Sequence, residues 1–164
     1  MLKIPSFVTS VLLLLGWAMI SSAAHASTVC NFASNPGVAF GVYDDTSSSP
    51  RDTTANIIIN CTRNGGPPNL TVTLSLGTSS TSGSINPRYL GLGMGSNIAY
   101  NLYRDSSRGL IWGQTPGADT ITQSLSIPNK STASVTFTIF GRITELQSAS
   151  VGNYSDSIIA TVFY

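Results

Sequence analysis

An all-β fold, an immunoglobulin-like β-sandwich, is what the sequence predicts, on three observations. Short runs of β-branched, aromatic and aliphatic residues recur along the chain with apolar side chains at period two. Gly, Pro, Asn and Ser clusters separate them at the spacing of a sandwich. After the first 26 residues no long window repeats apolar residues at i, i+3, i+4 and i+7, so no amphipathic helix is expected.

The elements follow in order. Gly37 to Tyr43 is the first expected run, with Val38, Phe40 and Val42 alternating. Thr53 to Cys61 is dense in isoleucine. In Leu70 to Leu76, Leu70, Val72, Leu74 and Leu76 face one way and Thr71, Thr73 and Ser75 the other. Asn97 to Arg104 and a short piece at Leu110 to Trp112 come next. Ile121 to Ile127 places Ile121, Gln123, Leu125 and Ile127 on one face, and Ser131 to Ile143 is long and β-prone. The last run starts near Gly152 and reaches the final residue, with Tyr154, Ile158, Ala160, Val162 and Tyr164 on one face and Asp156 the polar exception. Asn64-Gly-Gly-Pro-Pro68, Thr115-Pro-Gly117 and Pro128-Asn129 are turns, and Gly77 to Gly95 reads as the longest loop, mobile or carrying binding function.

Residues 1–26 read as a cleaved signal peptide. Lys3 supplies the positive end, Phe7 to Ile20 the apolar stretch, and Ser22-Ala-Ala-His-Ala26 the small residues before a cut at Ser27. Residues 27–164 then form one exported domain. Loss of Lys3 from 8 basic residues leaves 7 against 7 acidic ones, a balance that argues against nucleic acid or anionic membrane as partner. Only 9% of the chain is charged, well below the usual quarter, and Ser, Thr, Asn and Gly carry the polarity. Cys30 and Cys61 are the only cysteines, and an even pair in an exported chain reads as a disulfide.

Catalysis finds little support. His25 is the only histidine and would leave with the signal peptide, which removes the commonest general base and metal ligand. No serine sits in a Gly-x-Ser-x-Gly turn. The acids are scattered, and Asp44-Asp45 reads as a solvated turn before it reads as half of a glycosidase pair. Gly91-Leu-Gly-Met-Gly95 lacks the following helix and lysine of a phosphate cradle. Trp112 with Tyr100 and Tyr103 serves either as a ligand platform or, the plainer reading, as packing. No enzyme, metal or cofactor is expected.

An apolar, aromatic-capped terminal strand has to be covered by its own sheet or by another protein. At this point the order of motifs becomes informative. Cys30, Val38-Ala-Phe-Gly-Val-Tyr43, Ile57-Ile-Ile-Asn-Cys61, Leu70-Thr-Val-Thr-Leu-Ser-Leu76, Arg88-Tyr-Leu90, Ile98-Ala-Tyr-Asn-Leu-Tyr-Arg-Asp105, Ile111-Trp-Gly113, Ile139-Phe-Gly-Arg-Ile143 and Gly152-Asn-Tyr-Ser-Asp156 occur in sequence. Together they span nearly all of residues 27–164. This set resembles the spore coat protein U domain family, which includes the archaic, Csu-type chaperone–usher pilins.

The resemblance implies a sandwich that lacks its last strand. A periplasmic pilus chaperone would fill the gap first, and a donor strand from a neighbouring pilin subunit would replace it at the outer-membrane usher. Ile158, Ala160, Val162 and Tyr164 would then line the groove, with Phe163 pointing away. The implied role is a structural or adhesive subunit of a surface fimbrium. Cleavage after Ala26 leaves Ser27, Thr28 and Val29 before Cys30, about 10 Å when extended and too short to fill a neighbour's groove, which favours a tip or minor subunit. The alternatives are a secreted coat protein with a complete sandwich and a lectin-like binding module.

Overall fold

A computed structural model describes residues 26–93 and 95–164. The expected signal peptide lies outside the described residues, apart from Ala26. All regular structure among the described residues is strand: β1 (Ser27–Ser34), β2 (Arg51–Asn64), β3 (Asn69–Leu76), β4 (Arg88–Gly91), β5 (Asn97–Tyr103), β6 (Ile121–Ser126), β7 (Ser131–Ile143) and β8 (Ala160–Phe163). They form two sheets, ordered β1-β2-β7-β5-β4 and β6-β3-β8, every pair antiparallel.

The spine of the larger sheet is the β2–β7 ladder, which runs from Arg51 opposite Ile143 to Arg63 opposite Ser131. Period-two alternation sends Ile57, Ile59 and Cys61 of β2 and Val135, Phe137, Ile139 and Ile143 of β7 into the core. The opposite face carries an Asp52–Arg142 ion pair at one end and is otherwise joined by uncharged side chains. There Thr138 donates to Asn56 (2.9 Å), Ser134 to Asn60 (2.7 Å), and the Thr62 and Thr132 hydroxyls pair at 2.7 Å. Short polar side chains hydrogen-bonded across the strands do the work that charges do elsewhere.

In the smaller sheet Val72, Leu74 and Leu76 of β3 are buried against that core, with Leu70 half-buried beside them. Trp112 is fully buried between the sheets. Its Nε1 donates to the Leu74 carbonyl (2.9 Å) and its ring lies 6.2 Å from that of Phe137. This places Trp112 in the core and removes it from any surface platform. The short run around it amounts to a single bridge, Ile111 to Tyr103.

Cys30 and Cys61 are bonded, as the sequence implies, and stand opposite each other in the β1–β2 register. The bond closes a 31-residue separation. Cys30→Ala is expected to lower stability by about 3.5 kcal/mol on the chain-entropy account. Urea midpoints of the variant and the parent, measured without reductant, check this, and equal midpoints would refute it.

Three expectations need correction. Gly37 to Tyr43 is not a strand. Gly37 and Gly41 hold φ of 76° and 74°, which breaks an extended ladder, and the segment is tied instead by Arg51 Nε to the Phe40 carbonyl (2.7 Å) and Thr53 Oγ1 to that of Ala39 (2.8 Å). The terminal run joins a ladder only over Ala160–Phe163, where it pairs with β3. Lastly, the 77–95 region carries β4, paired with β5, and is not one long loop.

Candidate docking cleft

The sandwich is open along one side. Residues 36–43 form one rim and residues 149–158 the other, and the cleft between them measures about 1040 Å³. Its floor is the core itself: Ile57, Leu76, Ile98, Leu102, Ile139 and Ile143. No backbone–backbone hydrogen bond joins residues 36–43 to any other described residue. The first rim therefore presents backbone donors and acceptors without a ladder partner, beside an apolar floor.

Each rim is anchored by side chains. Phe40 drops into the cleft wall with its ring edge-on to Tyr100 at 5.6 Å. It rests on β7 at Gly141, where a Cβ would stand 3.0 Å from the Phe40 ring and 3.0 Å from Thr53. Gly141→Ala is expected to force Phe40 outward at a cost of about 1–3 kcal/mol. A urea midpoint unchanged in that variant would show the seat to be loose. At one end the first rim is clasped to the segment that follows β7: Tyr43 Oη donates to the Thr144 carbonyl (3.0 Å) and accepts from the Gln147 amide (2.8 Å), while Gln147 bonds both backbone groups of Ala99.

The second rim bridges the two sheets. Ser155 exchanges two backbone hydrogen bonds with Gly91 of β4, at 2.8 and 3.0 Å, and Ile159 accepts from Gly77 just past β3 (2.8 Å). Tyr154, Asp156, Ile158, Ala160 and Val162 alternate as the half-buried positions of this segment. Asp156, the polar exception on that face, is answered from within. Its Oδ2 accepts from Tyr100 Oη (2.6 Å), and its Oδ1 from Ser80 Oγ (2.9 Å) and from the Thr81 amide and hydroxyl (both 3.3 Å). Burial pushes the Asp156 carboxyl up, but the hydrogen bonds it accepts, that from Tyr100 foremost, together outweigh it and leave the pKa below the ordinary value. Burial, and then the hydrogen bond to Asp156, push the Tyr100 phenol up.

Of the four residues assigned to a groove from sequence, Ile158 and Ala160 line the cleft. Val162 is half-buried against the core beyond its end. Tyr164 is 53% exposed and Phe163 44% exposed, so neither side chain sits in the cleft. Sequence reasoning read residues 37–43 as a strand, from the alternation of Val38, Phe40 and Val42, and missed their role as a rim. It also missed the Tyr43–Gln147 clasp, whose partners are about a hundred positions apart and carry no local signal. No three His, Cys, Asp or Glu side chains gather to hold a metal among the described residues.

No curated protein matches the chain. A solved complex of the CsuC chaperone and CsuE tip adhesion subunit from the archaic chaperone–usher Csu pili of Acinetobacter baumannii superposes with a TM-score of 0.54 at 16% identity, over 84% of this chain. This chain spans 40% of the length of that one. A chaperone–tip adhesin complex of CFA/I fimbriae biogenesis gives a TM-score of 0.41 at 12% identity, over 82% of this chain and 41% of the other. The family model of the Spore Coat Protein U domain matches residues 17–161. With that match covering most of the sequence, the chain belongs to the Spore Coat Protein U domain family.

Proposed function

We propose that this chain is a non-enzymatic subunit of a chaperone–usher fimbrium, held by a periplasmic pilus chaperone before assembly and joined to a neighbouring pilin subunit at the outer-membrane usher. The observation that carries the reading is the open side of the sandwich. An apolar floor flanked by a rim of unpaired backbone is what an added β-strand satisfies: the backbone supplies affinity and the floor selects alternate side chains. On this reading the missing strand of the sandwich comes from the partner, and Ile158 and Ala160 line its path. Export to the periplasm and display at the cell surface follow.

Within that role we assign an accepting position, at the tip or as a minor subunit. What supports it is β1, which enters its own sheet from Ser27, opposite Asn64. Residues from Ser27 onward are engaged at home, so a donor strand has to come from residues before it. N-terminal sequencing of the exported protein tests this, because a start at Ser27 leaves no donor and an earlier start supplies one.

The main test is recovery of the protein from its native periplasm, with a tag in the 115–118 turn, away from the cleft. A stoichiometric immunoglobulin-like chaperone among the bound proteins is the expected result. Recovery of the protein as a lone monomer, free of any chaperone, would overturn the reading and favour a coat protein whose sandwich is complete.

A further inference from the structure

We propose that Asp156 and Tyr100 form a polar position in the otherwise apolar cleft, so that the strand filling it carries a hydrogen-bond donor, a Thr, Ser or Asn side chain, at the residue facing them. This rests on the strand-accepting reading above and adds a sequence preference to it. Both residues line the cleft. Tyr100 is 6% exposed and Asp156 half-buried.

Hydrogen-bond capacity carries the argument. An ionised carboxylate has about four acceptor positions, and a phenol both donates and accepts. Asp156 Oδ1 is saturated by Ser80 and Thr81, whereas Oδ2 holds only the Tyr100 bond. Tyr100 Oη spends its proton on Asp156 and receives no donor from any described residue. Two acceptors, Oδ2 and Oη, therefore keep spare hydrogen-bonding capacity on residues that line the cleft. In an open cleft such acceptors are free to take their remaining bonds from water. A strand with only apolar inward residues would strip that water and leave both acceptors buried without donors, which is costly. A short hydroxyl or amide on the strand restores the bond.

A neutral donor suits the place better than a cation. The guanidinium of Arg88, itself fully buried, already serves as a counter-charge to the Asp156 carboxylate, which opposes the downward push of burial on its pKa. A lysine would have to leave water to join a site that is already partly neutralised.

The test uses the full exported chain and a synthetic capped peptide of about twelve residues, roughly 40 Å when extended, with valine at alternate positions and polar residues between. Threonine, nearly the same shape as valine, replaces each inward valine in turn, and binding is followed by fluorescence anisotropy. Affinity should fall at every inward position but one, where threonine binds roughly three- to tenfold tighter than valine. That preference should vanish in Asp156→Ala, read as the ratio of the two peptides on the same protein so that any general weakening cancels. Uniform loss at every position in the unaltered protein would overturn the proposal while leaving the strand-accepting cleft intact. Failure of every peptide to bind would overturn both.

Discussion

Arg88→Met is expected to lower stability by about 3–5 kcal/mol, enough to remove most of the folded protein from a domain of ordinary stability. Arg88 is 0% exposed and reaches no carboxylate directly. Its guanidinium is held by backbone carbonyls: Nε and Nη2 donate to Gly77 (3.2 and 2.9 Å), Nη2 also to Leu76 (3.1 Å) and Trp112 (2.8 Å), and Nη1 to Ile85 (3.2 Å). One side chain on β4 thus collects the end of β3, the 77–87 connection and the tryptophan segment. Methionine fills a similar volume but offers no donor, so several buried carbonyls lose a partner at about 1–3 kcal/mol each before relaxation. Arg88→Lys separates charge from geometry. It keeps the cation, yet a single ammonium does not span carbonyls that the planar fork reaches together, and it should lose nearly as much. Urea unfolding, or abundance in the periplasm where the variant does not survive purification, reads the effect. A loss below about 1 kcal/mol in Arg88→Met would mean that water replaces the guanidinium at little cost.

What was legible beforehand follows from how local each signal is. The β3 alternation, Leu70 to Leu76, is written in one stretch of chain, and the structure buries three of its four apolar residues. The isoleucine run of β2 and the long β7 are equally local, whereas their pairing, between residues about eighty positions apart, was not written in either stretch. β1 was invisible because Ser27–Ser34 is an edge strand whose side chains are mostly exposed, so burial imposes little pattern on it. β4, four residues after a Ser- and Gly-rich stretch, exists because β5 pairs with it and Arg88 anchors it. The 36–43 segment misled in a more useful way. Its alternation marks Phe40 as buried and Val38 as half-buried but fails at Val42, which is 87% exposed, and it says nothing about whether a neighbouring strand is present. The cleft itself was similarly hidden. Its walls come from residues about 110 positions apart, and only Asp156, polar on an apolar face, signalled that something unusual stood there.

Ile158→Asp should abolish strand capture, with at least about a hundredfold loss of affinity for the alternating peptide described above, while Ile159→Asp should stay within about twofold of the parent. The two residues are chain neighbours with the same side chain and opposite surroundings. Ile158 is half-buried and lines the cleft; Ile159 is 77% exposed, its carbonyl fixed by Gly77 and its side chain turned to solvent. A carboxylate at 158 would have to be desolvated beside the apolar floor whenever a strand enters, and Asp156, two residues away on the same face, adds like-charge repulsion. At 159 the same carboxylate remains in water and costs little. The pair therefore controls for charge, for local strand propensity and for position in the chain, and leaves the facing of the side chain as the variable. Equal losses in both variants would mean that the charge acts by general repulsion or misfolding. A loss confined to Ile159→Asp would put the docking surface on the outer face of the segment and sink the cleft as the capture site.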